Sequence, residues 1–162
     1  MKLIKHMMII LCFFCLCSCS KSMGHFKDGT MKLDQLIQNI NQKSIQGDWS
    51  FPILNETQIP LSQVAELYGL DMTQIKNCEA HQSILPAQLG ELAFFHVEES
   101  KDALMKQVVE KHIQDMEKQW GTLLMEAEDV LHGCKEGRIG EYYYVIVGSD
   151  AQKVVNYIQN IK

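Results

Sequence analysis

Six cysteines and six histidines are the side chains in this 162-residue sequence best suited to act as nucleophile, base or metal ligand. Four cysteines, Cys12, Cys15, Cys17 and Cys19, crowd the first twenty residues, and only Cys78 and Cys134 fall in the remainder. Cys134 lies two residues from His132 and Cys78 three from His81, spacings at which an imidazole base beside a thiol nucleophile can be imagined. Neither pair comes with a third residue to orient the imidazole, and no nucleophile motif surrounds them. His81, His96, His112 and His132 are nowhere three to five residues apart and no paired-cysteine motif joins them, so they form no metal-ligand series. Glu98 and Glu99 are adjacent, point to opposite faces of a strand and cannot alone form an acid–base pair. Glu126, Glu128 and Asp129 lack the order of a calcium loop and read as a solvated acidic face. Gly133, Gly137 and Gly140 do not lead from a strand into a helix at phosphate-loop spacing, so they read as hairpin punctuation. The expectation is no catalytic residue, no metal ligand and no cofactor.

Cys19 is a different matter. Lys2 and Lys5 give a short basic start, residues 7–16 are almost unbroken apolar, and small Ser18 then precedes Cys19. That order is a secretory signal peptide. About a dozen apolar residues are too few for a permanent membrane span, which takes about 20. Leu16 three before the cysteine and Ser18 just before it look like the bacterial lipobox, which implies cleavage after Ser18 and a diacylglyceryl thioether on Cys19. Cys15 and Cys17 are preceded by bulky Phe14 and Leu16, where the peptidase needs a small side chain. The expected organisation is a lipoprotein signal peptide at 1–18, a lipidated tether at 19–30 and a single domain at 31–162. The location implied is the extracytoplasmic face of the cell membrane, with the membrane itself as first partner through the lipid on Cys19.

Charge narrows the other partners. The first 18 residues hold two of the 15 basic groups and none of the 20 acidic ones, leaving 13 against 20, a formal charge of −7, over 144 residues. Phosphate polymers and anionic lipid surfaces repel such a domain, which disfavours nucleic acid and a polybasic membrane contact. A Cys78–Cys134 disulfide and two free thiols that behave as small hydrophobes both stay open.

The elements that must position these residues follow from periodicity. Leu33, Leu36, Ile37 and Ile40 recur at helical spacing, with Thr30 placed to cap and Gly47 to stop the helix. Residues 48–60 hold two of the three prolines and read as an extended connection, with at most a short strand near Ile53. A short helix at 63–67 ends at Gly69. Residues 74–84 and 89–97 pair as strands, and the second is apolar at both alternating positions, which suits a central strand covered on both faces. Ser100 and Asp102 open the longest helix, to about Gln119, with Met105, Val109, Ile113, Met116 and Trp120 on one face. Asp102 stands one turn ahead of Lys106 on the solvated side. A turn of helix at 123–127 and a hairpin with arms 130–136 and 141–148 around 137–140 follow. Ser149 with Gln152 resembles a capping box opening a final helix that carries Val154, Val155, Ile158 and Ile161. This order predicts an α+β fold, helices laid on one face of a small, mostly antiparallel sheet.

Three stretches together resemble a known group: Tyr68-Gly69-Leu70-Asp71, Glu91-Leu92-Ala93-Phe94-Phe95 and Gly140-Glu141-Tyr142-Tyr143-Tyr144-Val145. With a lipobox in front, the chain resembles the bacterial lipoproteins grouped as domain of unknown function family 4358, from about Ile53 to Lys162. Residues 119–126 depart from that pattern, which has a tyrosine-containing loop there. The resemblance implies an extracytoplasmic accessory domain and lends no catalytic residue. The expected function is therefore binding, of an envelope protein or a small ligand, through an exposed aromatic patch at Trp49, Phe51 and Tyr142. The alternative is an envelope hydrolase using a Cys/His or carboxylate site.

Overall fold

Strands buried on both faces need cover on each side, and two segments far apart in this chain meet that description. In the computed structural model, which describes residues 25–26 and 31–161, these are β4 (Glu91–His96) and β6 (Tyr142–Val147), paired at the centre of a four-stranded antiparallel sheet. β3 (Asn77–Gln82) and β5 (Lys135–Ile139) flank them in the order β3-β4-β6-β5. The segment read as a signal peptide and Cys19 lie outside the described residues. β1 (His25–Phe26), in the stretch read as tether, pairs with β2 (Met31–Lys32) at the start of the stretch read as domain, His25 opposite Lys32.

The helices are α1 (Leu33–Ile45), α2 (Leu61–Tyr68), α3 (Asp102–Trp120), α4 (Ala127–His132) and α5 (Ala151–Asn160). The fold is α+β, as the order of sequence patterns implies. The helices cover both faces of the sheet, however, and not one. Leu36, Ile40, Val154 and Ile158 of α1 and α5 pack with Leu92, Phe94, Tyr144 and Ile146. Val64, Tyr68, Met105, Val109 and Leu131 of α2, α3 and α4 pack with Ala93, Phe95, Val145 and Val147. A one-sided layer would leave one set of these alternating apolar side chains in water, at about 25 cal/mol per Å².

Three local expectations are corrected by longer-range contacts. Residues 127–132, split between a helical turn and a strand arm, form α4, with Ala127 and Leu131 buried against the sheet. β5 runs through Gly137 to Ile139, and the hairpin turns on Gly140-Glu141, where Gly140 takes φ +55. A two-residue loop with glycine at positive φ matches the twist of its strands. At α5 the capping box does not form: Asp150, at φ +59, is the N-cap, and its carboxylate accepts from the Ser50 backbone N–H at 2.8 Å. That bond ties the helix start to the 48–60 connection.

The connection also closes an edge. Asn41, 4 % exposed, donates to the Leu54 carbonyl and accepts from the Leu54 N–H at 2.9 and 2.8 Å. Asn55 and Ile59 then donate to the carbonyls of Gln82 and Ala80, covering the outer side of β3. Asp102 bonds Arg138 through both carboxylate oxygens, not Lys106, and fastens the start of α3 to β5. Arg138 also donates to the Val97 carbonyl at 3.1 Å.

Candidate functional site: a buried carboxylate beneath a cleft

Three ionisable side chains from three elements converge on the α2–α3 face of the sheet. α2 stops where Gly69 takes φ +62, which leaves Tyr68 as its last residue, aimed at the sheet. β4 opens with Gly90-Glu91. A Cβ on Gly90 would stand 2.5 Å from the Pro52 Cβ, so only glycine lets the chain pass there and set Glu91 at the strand's first position. His112 occupies the apolar stripe of α3 between Val109 and Met116. Tyr68, Glu91 and His112 are 3, 1 and 5 % exposed.

The carboxylate of Glu91 is the hub. The Tyr68 hydroxyl donates to Oε1, and His112 Nε2 lies 3.2 Å from Oε1 and 3.4 Å from Oε2. Gln82 Nε2 donates to Oε2 at 3.2 Å. The other imidazole nitrogen of His112, Nδ1, donates to the Leu67 carbonyl at 3.2 Å. With both nitrogens facing acceptors, the imidazolium form is the one that satisfies both. The Tyr68 ring stacks on His112 with centroids 4.0 Å apart and meets Phe95 edge-on at 4.9 Å.

The electrostatics follow this geometry. Burial pushes the Glu91 carboxyl up, but the hydrogen bond and charge of His112, with the bonds from Tyr68 and Gln82, outweigh it and hold the group below the usual range. Burial likewise pushes His112 down, and its bond to Glu91 and that carboxylate's charge win, leaving the imidazole above its ordinary value. Tyr68 is driven well above 10 by burial and by the neighbouring carboxylate. The arrangement is a buried Glu⁻–His⁺ pair with a neutral phenol as additional donor.

A cleft of about 260 Å³ opens beside this hub, between the β3–β4 turn and α3. Glu91, Gln82, Ser83 and Gln88 supply its polar side; Leu85, Leu89, Met116 and Trp120 supply apolar walls. Among the described residues lining it there is no lysine, arginine or histidine. Leu85 is 55 % exposed at the rim, beside exposed Ile84.

The residues expected to form an aromatic patch lie elsewhere and mostly inside. Phe51 and Tyr142 are buried in the α1–α5 core, and Trp49 packs partly buried on Tyr157 at 5.5 Å, with the Lys43 ammonium 5.4 Å over its ring. The reason is the opposite face of the sheet: α1 and α5 leave room that the 48–60 connection fills with its aromatics. The thiol candidates also separate. Cys78 and His81 are three apart on β3 and point to opposite faces; His81 donates Nδ1–H to the Asn55 carbonyl at 2.7 Å and turns Nε2 to Glu79 at 3.1 Å. Cys134 borders a groove of about 590 Å³ with His132, but His132 Nε2 faces Glu117 at 3.4 Å, and burial with nearby Glu136 pushes the Cys134 thiol up to about 12. A thiol so raised is a poor nucleophile near neutral pH. Cys78 and Cys134 are free thiols; Cys78 is on the edge strand β3 and Cys134 immediately precedes the opposite edge strand β5, so at least three strand spacings, about 14 Å, separate them, beyond the reach of a disulfide. No cluster of three or more His, Cys, Asp or Glu suited to a metal occurs among the described residues.

Sequence reasoning did not assemble the Tyr68–Glu91–His112 hub. Tyr68 and Glu91 both stand in the stretches quoted for the family resemblance, and His112 falls on the apolar stripe of the long helix. A histidine at a core-facing helix position is the signal that a buried partner awaits it. Compared with protein-family models, curated proteins and solved structures, the chain finds no match in any of the three.

Proposed function

We propose that this chain is a lipid-anchored extracytoplasmic lipoprotein whose α+β domain works by binding at the cell envelope. The observation that carries the anchor is the N-terminal order of basic start, short apolar run and Leu16-Cys17-Ser18-Cys19. Membership of the lipoprotein group it resembles is part of the same proposal. Each buried methylene of an acyl chain contributes about 0.8 kcal/mol, and two or more chains hold a protein stably where one does not. The 12 residues from Cys19 to Thr30 reach at most about 40 Å, so the domain works close to the surface that holds it. No helix among the described residues is long and apolar enough to cross a membrane. Binding is supported by the cleft over Glu91, which offers apolar walls around a few convergent polar groups, the usual composition of a ligand site. The raised thiol of Cys134 and the occupied nitrogens of His81 argue against the Cys/His form of the hydrolase alternative.

The test is the mature N-terminus. Mass analysis is expected to find a diacylated Cys19 as first residue, and Cys19→Ser to abolish acyl labelling and move the protein from detergent into the aqueous phase. Unchanged partitioning of Cys19→Ser would overturn the anchor. Photo-crosslinking from Leu85 in intact cells is expected to trap an occupant of the cleft, and an uncrosslinked product would count against binding there.

A further inference from the structure

We infer that the cleft beside Glu91 takes a small ligand with a primary ammonium or similar N–H donor on an apolar body, and that this donor replaces the side chain of Gln82 on the buried carboxylate. The inference rests on the binding reading and deepens it.

The cleft has one charged group in its lining, the Glu91 carboxylate, and no basic residue among the described ones. An anionic ligand would meet this carboxylate with no basic residue in the cleft lining to pair with it, since the His112 imidazolium is buried on the far side and already engaged by Glu91. Of the groups that Glu91 binds, Tyr68 and His112 are buried and approach from the protein side. Gln82 is the exposed one, and it reaches Oε2 at 3.2 Å from the sheet edge while itself lining the cleft. It holds the position of an incoming donor with a neutral amide, at a length that marks a modest bond. A ligand ammonium placed there makes a charge-assisted bond to the same oxygen, roughly twice as strong as a neutral one. The apolar body then lies against Leu85, Leu89, Met116 and Trp120. An aromatic wall near the cation adds attraction through the ring face. The carboxamide of Gln82, once displaced, turns to water at no loss of buried hydrogen bonding.

The test uses three ligands with the same apolar body and different head groups: phenethylamine, phenethyl alcohol and hydrocinnamate. Binding is read with the purified full-length protein from Trp120 fluorescence, with Trp49→Phe as background to silence the other tryptophan. The amine is expected to bind about ten-fold tighter than the alcohol, the ratio one charge-assisted hydrogen bond supplies, and the carboxylate weakest of the three. Gln82→Lys places an intramolecular ammonium on the same oxygen at an exposed position, so the fold survives, and the amine preference is expected to disappear. Glu91→Gln is expected to remove the preference as well. Equal binding of amine and alcohol, or an amine preference that persists in Gln82→Lys, would overturn the ligand class while leaving binding at the cleft intact. No response from any of the three overturns the inference, and the in-cell crosslink from Leu85 reports separately on the binding reading.

Discussion

Removing the imidazole of His112 isolates a carboxylate that is 1 % exposed, and the consequence for stability has a magnitude and a pH dependence. In His112→Ala the Glu91 charge keeps Tyr68 and Gln82 as donors but loses its counter-ion, and Tyr68 loses its stacking partner. Breaking a buried ion pair by deleting one member costs about 3–5 kcal/mol. Against a total stability of roughly 5–15 kcal/mol this is a large fraction, and it lowers Tm by about 10–20 °C for a domain of this size. The sign with pH follows from the shifts. Glu91 is held low in the fold, so its contribution is complete above the unfolded carboxyl value and fades as pH falls through the folded one. His112 is held high, so its contribution is complete below about 6.5 and fades as pH rises through its raised folded value. The pair therefore stabilises fully between about pH 4.5 and 6.5. Without His112, burial dominates at Glu91 and raises its pKa, so the folded variant takes up a proton and recovers stability toward acid. Urea unfolding of both proteins at pH 6.5 and pH 4.5 is the assay. The expected result is a loss of about 3–5 kcal/mol at pH 6.5 that shrinks by about 1 kcal/mol or more at pH 4.5. A loss below about 1 kcal/mol, or one equal at both pH values, would refute a charged pair at this site.

Two further outcomes test the frame that holds the hub. A double-mutant cycle over Asp102→Ala and Arg138→Ala, measured by chemical denaturation, is expected to give a coupling of about 1–2 kcal/mol, because the guanidinium bonds both carboxylate oxygens at a partly buried junction. Coupling indistinguishable from zero would mean that the start of α3 is held to β5 by apolar packing alone. Gly148→Ala is expected to destabilise by about 2 kcal/mol or more, since the residue sits at φ +151 and an added Cβ would stand 2.8 Å from the Phe51 ring and 2.9 Å from Pro52 Cδ. A thermal melt unchanged from the parent would show that the 48–60 connection gives way freely.

What the sequence by itself determined was local and periodic. The apolar stripe of 105–120, the β-branched and aromatic run of 142–147 and the glycines at 69 and 140 name elements through forces acting within a few residues: side-chain period, χ1 restriction, and access to positive φ. The two-sided apolarity of 91–97 already required cover on both faces of the sheet, although the order of elements suggested a single layer of helices. The proposed lipobox likewise rests on residue types at fixed spacing, Leu16-Cys17-Ser18-Cys19, and on nothing farther along the chain.

What only the tertiary structure decided was which distant residues meet. Whether 127–132 becomes helix or strand depends on Ala127 and Leu131 finding the sheet, and whether Trp49 and Phe51 are platform or core depends on the space beneath α1 and α5. The hub is the clearest case. Tyr68 and His112 stand 23 and 21 residues from Glu91, no spacing rule joins them, and the charges of Glu91 and His112 come from a pairing that exists only once α2 and α3 are laid across β4. Hydrophobic period is written in the chain, but the desolvation that turns a carboxylate, an imidazole and a phenol into one coupled unit is a property of the packed interior.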